Sequence, residues 1–287
     1  MNCLKTILEV AAPLLAVLMM VAVGLELEWR HFRELARRKF VIGATLLAQA
    51  VILPLLGWII TRVLHLPSHV AAGLLLVAAC PIGDIANFYV LVARANLALG
   101  VTLNAFSCLL SVFAMTMVFA AYDHFSGGAV AFEAPPAAMI LRLVAIVAVP
   151  ILGGMTLRRW RPRLAVRLAP AFRLGCLIII LPVLALVIVV QGSKLASHFG
   201  DSMRGSMALL SLAAAAGFAW TRLLRLSVAE SVSVTIVFPV RNIVLAVTVA
   251  VTVLQRMEFA GFALFYFLLE APVLLTASWL LRRRQTA

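Results

Sequence analysis

Ionisable side chains stand where the chain is least able to solvate them. Glu9, Asp84, Arg241 and Glu270 lie inside long apolar runs, and Glu230 opens one. If those runs sit in a bilayer, each charge near the centre costs at least ~2.5–3.5 kcal/mol on insertion scales and needs a compensating role. Two of them follow interruptions. Val77 to Tyr89 contains Cys80-Pro81-Ile82-Gly83-Asp84 and then Ala86-Asn87, while Val234 to Asn242 contains Phe238-Pro239-Val240-Arg241-Asn242. Proline removes a backbone donor and clashes with the preceding turn, and Gly83 accepts backbone angles that end a helix. A broken helix frees carbonyls at one half-end and N–H groups at the other, which can bind cations and anionic groups respectively. Paired interruptions in the two halves of a membrane chain point to a binding site at the membrane midplane.

Arg241 is always protonated and needs a partner. Asp84 is the expected one: if the breaks face each other, an Asp84–Arg241 ion pair forms, with Asn87 and Asn242 completing its hydrogen bonds. Glu270, followed by Ala271-Pro272, either titrates as part of a working site or bonds a neighbouring helix. Gln49 and Asn104 fall mid-run, where they line a cavity or link helices. Glu9 is expected near the wet end of its run, and Glu230 at a helix start, where a carboxylate suits the helix dipole. Phe88, Tyr89, Phe106 and Phe238 are candidate walls for an apolar solute.

The elements holding these residues must be membrane helices. Of 287 residues 64% are apolar and 12% charged, and the mean hydropathy is +1.12. A helix needs about 20 apolar residues to cross the hydrocarbon while satisfying its own backbone. Nine spans are predicted, at 6–26, 40–62, 70–93, 98–121, 137–157, 172–192, 205–224, 228–253 and 258–281. The chain reads as one integral membrane domain, 1–287, in approximate halves 1–125 and 137–287.

The net charge of +13 does not indicate nucleic acid. Lys and Arg concentrate in 27–39, 158–173 and 282–284, with Arg94, Arg222 and Arg225. The opposite connections hold Lys5, Arg62, Lys194, Arg204 and Arg256, while Arg142 and Arg241 fall within spans. That bias places the N-terminus outside and the C-terminus in the cytoplasm. The first span is expected to be its own insertion signal, with no cleavable leader. Cys3, Cys80, Cys108 and Cys176 show no metal spacing and read as packing residues. The stretch Glu28–Lys39 could lie as an amphipathic helix on the inner surface, with Trp29 and Phe32 in the headgroups. The longest connections are the basic stretch Arg158–Arg173 and the Gly- and Pro-containing loop Tyr122–Pro136.

At these residues the chain resembles the bile acid:sodium symporter family. The resemblance runs from Gly24 to Phe32, through Gln49 and Pro54, along Ala79-Cys80-Pro81-Ile82-Gly83-Asp84-Ile85-Ala86-Asn87, and on through Leu91–Leu99, Val101 and Ser107. In the second half its best anchor is Thr235 to Ala246. It implies ten helices in two inverted repeats with crossing broken helices; some members lack the first helix, which fits nine spans. The departures bear on coupling. Where the family pattern has Ser-Asn, this chain has Ala86-Asn87; where the next helix offers Ser and Thr to sodium, it has Gly100 and Asn104. The family's Glu-x-Gly-x-Gln-Asn is here Val237-Phe238-Pro239-Val240-Arg241-Asn242. A hard cation wants several oxygen ligands, preferably with a carboxylate. The expectation is that Arg241 stands in for sodium as a tethered positive charge, leaving transport uncoupled or coupled to a proton on Asp84 or Glu270.

The sequence therefore predicts a carrier of a small organic anion (bile-acid- or steroid-like, or a short organic acid) in a bacterial-type inner membrane, working by alternating access. No catalytic residue, metal site or cofactor is assigned. The alternative is a transport-inactive relative that senses a ligand or scaffolds a partner. An enzyme is disfavoured because His31, His65, His69, His124 and His198 map to loops or span ends, without HExxH. A channel would want a ring of like charges or a repeated filter.

Overall fold

The computed structural model describes residues 2–28, 31, 33, 36–125 and 136–286. Trp29, Phe32, residues 126–135 and the Glu9 side chain lie outside this description. Among the described residues the secondary structure is helical. In order, the helices are α1 (Asn2–Glu26), α2 (Lys39–Val63), α3 (Ser68–Ala79), α4 (Ile85–Val92) and α5 (Leu97–Phe125). Then α6 runs as Pro136–Leu143, a π-helical turn at Val144–Ala148, and Val149–Trp160. It is followed by α7 (Pro162–Ser197), α8 (Phe199–Leu223), α9 (Val228–Val237), α10 (Ile243–Thr248, with a π-helical turn at Val249–Val253) and α11 (Met257–Thr286).

Among the described residues, six helices are long and apolar enough to cross a membrane: Lys39–Val63, Leu97–Tyr122, Ala138–Trp160, Pro162–Val189, Phe199–Leu223 and Met257–Arg283. Shorter apolar helices cover Val10–Glu26, Ser68–Ala79, Val228–Val237 and Ile243–Val253. Two expected spans, 70–93 and 228–253, are thus each built from two short helices. The basic stretch Arg158–Arg173 is not a loop. α6 ends at Trp160 and α7 begins at Pro162, where a proline at the first helical position loses only a donor that had no helical partner.

The breaks form where expected. Cys80 is extended (ψ 152°), as the residue before a proline prefers, and α3 stops there. α9 opens with a capping box between Ser227 and Glu230, confirming Glu230 as a helix-start residue. It ends before Pro239, and Asn242 then caps α10 by accepting from the Leu245 N–H at 3.0 Å.

The halves share a corner geometry. After α2 and α8 the chain turns through His65 and Arg225, both in the left-handed region (φ 49° and 52°). Leu66 bonds back to the Thr61 carbonyl, and Leu226 to that of Thr221, each at 3.1 Å. One turn earlier, Arg62 lies over Trp58 and Arg222 over Phe218. The two broken helices also close alike, through Arg94 and Gln255, both at φ 53°.

The larger apolar core joins α1, α3, α5, α6, α7, α10 and α11 with Ile60 of α2 and Leu209 and Leu210 of α8, and a second joins α2, α4, α5, α8 and α9 with Leu274 of α11. α1 lies against α6 at Gly24 and Gly154, where a Cβ on either glycine would strike the other helix's backbone. Large apolar side chains such as Leu47, Val51, Leu55, Ile178 and Leu181 remain exposed, as lipid-facing surfaces require.

Candidate functional site

The two breaks cross. The Asn242 N–H donates to the Pro81 carbonyl at 2.9 Å. Gly83 lies so near that a Cβ there would stand 2.6 Å from the Arg241 carbonyl oxygen. Only a residue without a side chain lets the two backbones approach this closely.

The Arg241 side chain is 4% exposed, and its guanidinium does not pair with Asp84. Nη1 donates to the Cys80 carbonyl at 3.1 Å, and Nη2 donates to the carbonyls of Val237, at 3.2 Å, and Phe238. In an unbroken helix the N–H groups of Arg241 and Asn242 would serve Val237 and Phe238. Here those N–H groups point to Glu270 Oε2, at 3.4 Å, and to Pro81. The side chain therefore bonds the carbonyls that its own backbone abandoned, and it sits at the negative C-terminal ends of α3 and α9. This corrects the expected Asp84–Arg241 pair: unpaired carbonyls lay within the arginine's own reach, and Asp84 instead accepts from Asn104 Nδ2.

Glu270 is 0% exposed and holds the Arg241 main chain at the start of α10, while its Oε1 has no hydrogen-bond partner. One turn earlier, Tyr266 donates to the Pro239 carbonyl at 2.5 Å. α11 thus grips both sides of the second break. Tyr266 carries no charge and sits in an ordinary apolar helix, so the sequence held no signal for its role. Ser107 braces the first break, accepting from the Ile82 N–H at 3.1 Å and donating to the Asn104 carbonyl at 2.7 Å.

A cavity of about 480 Å³ borders the crossing, within the range of small-molecule sites. Its polar lining is Asp84, Asn87, Arg241, Asn242 and Glu26, and its apolar walls include Met19, Phe88, Ile180, Leu184 and Phe267. Of the expected aromatics Phe88 lines it, whereas Phe238 is buried against Gly217. Gln49, Asn104 and Glu270 do not line it. Gln49 instead borders a void of about 20 Å³ with Cys80, Pro81, Ser107 and Arg241. The amide atoms of Gln49 and Asn87 have no hydrogen-bond partner, nor do Asn242 Nδ2 and Tyr89 Oη, so polar capacity collects around the crossing. A second cavity of about 500 Å³ shares Glu26, Leu97 and Val101 with the first. It carries Glu28, His31 and Arg158, where Arg158 pairs with Glu28 and the Glu28 N–H donates to His31 Nδ1 at 3.0 Å.

Residues 13–198 match the model of the sodium bile acid symporter family. The chain is 35% identical over 94 residues to an uncharacterized sodium-dependent transporter, YocS, of Bacillus subtilis, covering 33% of this chain and 29% of that protein. It is 29% identical over 150 residues to BASS2 of rice, a probable chloroplastic sodium/metabolite cotransporter, covering 52% of this chain and 35% of the relative. With Arabidopsis thaliana BASS1, of the same description, it shares 25% identity over 234 residues, 80% of this chain and 56% of the relative. The matches thus span from under a third to just over half of these relatives' lengths. A helical membrane chain whose crossed, proline-broken helices border a solute-sized cavity, and which matches that family model over most of its length, belongs to the sodium bile acid symporter family.

Proposed function

We propose that the protein is a secondary carrier that moves a small organic anion by alternating access around the crossed breaks. The observation that carries this reading is the crossing itself, with Asn242 bonded to Pro81 beside a cavity of about 480 Å³. The first turns of both second half-helices, at Ile85–Phe88 and Asn242–Val244, border that cavity, and their N-terminal ends favour an anionic group. The apolar walls suit a hydrocarbon body such as a steroid or a short acid chain.

The paired corners at His65 and Arg225, and at Arg94 and Gln255, support nine crossings arranged as two inverted repeats, the first lacking its opening helix. The charge bias supports an N-terminus outside and a C-terminus in the cytoplasm of a bacterial-type inner membrane. The test is counterflow in proteoliposomes loaded with bile acids, steroid sulfates or short carboxylates. Exchange of one class, lost in Asn242→Ala, is expected. Binding of such a solute without counterflow would indicate a transport-inactive sensor, and neither binding nor exchange by any anion sinks the substrate class.

A further inference from the structure

We infer that Arg241 is a resident cation: its guanidinium fills the place between the broken helices where a coupling metal ion would otherwise bind, so the protein does not bind sodium there. The inference rests on reading the chain as a carrier and concerns how that carrier is driven. The relatives it matches carry sodium in their descriptions, which makes the point specific to this sequence.

Unwound carbonyls and half-helix C-terminal ends are the usual oxygen donors for a coupling cation in broken-helix carriers. Here the breaks free the carbonyls of Cys80, Val237 and Phe238, and all three accept from Arg241. They come from both broken helices, so one guanidinium ties the two C-terminal ends together as an ion would. A second positive charge among the same oxygens would meet direct repulsion at a few ångströms in a medium of low dielectric. Glu270, fully buried on α11, bonds the main chain of the residue that carries the cation. The freed carbonyls and the cation that bridges them are thus both supplied by the chain, and the site needs no external ion to assemble.

The arrangement is distinguishable from ordinary packing because a cation site stripped of its resident should accept another. The experiment is thermal unfolding of the detergent-purified protein in sodium chloride against choline chloride at constant ionic strength, on wild type and Arg241→Ala. Millimolar guanidinium chloride serves as a second probe. A ligand that binds only the folded state raises the midpoint by mass action. Wild type is expected to show no sodium-specific shift. Arg241→Ala is expected to unfold at lower temperature and to recover by several degrees with guanidinium or sodium, but not with choline.

Saturable stabilisation of wild type by sodium overturns the inference, as does an alanine variant that folds and ignores both cations. If the alanine variant fails to assemble, Arg241→Lys decides. Its ammonium keeps a cation among the same carbonyls, so it stays indifferent to sodium; a sodium response there also overturns the inference. No solute enters this assay, so a failed counterflow experiment and a failed cation experiment remain separate results.

Discussion

Replacing Gly83 by alanine tests the crossing with a single methyl group. Its Cβ would lie 2.6 Å from the Arg241 carbonyl oxygen, 3.1 Å from that carbonyl's carbon and 3.4 Å from the Asn242 nitrogen. All three contacts are with backbone, which cannot rotate away, so the two breaks must separate by several tenths of an ångström. Overpacking of this kind costs about 1–3 kcal/mol. Separation also stretches the 2.9 Å bond from the Asn242 N–H to the Pro81 carbonyl, and a weakened buried bond adds about 1 kcal/mol. The expected total of about 2–4 kcal/mol is large against a marginal net stability. Gly43 in α2 provides the control, because nothing lies within 4 Å of a Cβ built there. Alanine at that position removes a helix-interior glycine and should stabilise by roughly 0.5–1 kcal/mol. The assay is thermal unfolding in detergent, with solute counterflow as a second readout. Gly83→Ala should unfold well below wild type and lose counterflow, while Gly43→Ala unfolds at or above wild type. Equal midpoints for the two variants would refute the close crossing and the site geometry built on it.

Tyr266→Phe removes the hydroxyl that bonds the Pro239 carbonyl and leaves that buried acceptor unmet. A loss of about 1–3 kcal/mol in unfolding free energy is expected, and unchanged stability would mean that α11 does not hold the break through this bond. The pair Arg158–Glu28 beside the second cavity should be recoverable by exchange. Arg158→Glu and Glu28→Arg should each slow solute exchange and the double variant should restore much of it, whereas purely additive losses would exclude a working pair.

The sequence by itself determined the membrane class, the positions of most helices and the two breaks, because these follow from local quantities. Runs of about 20 apolar residues have few fates other than a bilayer, and a proline followed by polar residues inside such a run cannot continue as ordinary helix. The polar residues after the breaks were legible for the same reason: Asp84, Asn87, Arg241 and Asn242 all line one cavity at the candidate site, whereas Gln49, Asn104 and Glu270, also expected there, do not. Proline alone was not sufficient. Pro13, Pro54, Pro170, Pro182 and Pro272 all lie inside helices that run on. What separates Pro81 and Pro239 is that carbonyls of Cys80, Pro81 and Pro239 find partners in distant parts of the chain, from Arg241, Asn242 and Tyr266 respectively.

Those partners were decided only by the tertiary structure. Charge complementarity along the sequence paired Arg241 with Asp84, but a guanidinium bonds whichever acceptors the packing brings within reach. The crossing sent the N–H groups of Arg241 and Asn242 to Glu270 and Pro81, and the orphaned carbonyls of Val237 and Phe238 then took the side chain. Sequence spacing carries the identity of a buried charge. Which oxygen it meets depends on the relative placement of helices some 160 positions apart, as between Cys80 and Arg241, and only packing sets that placement.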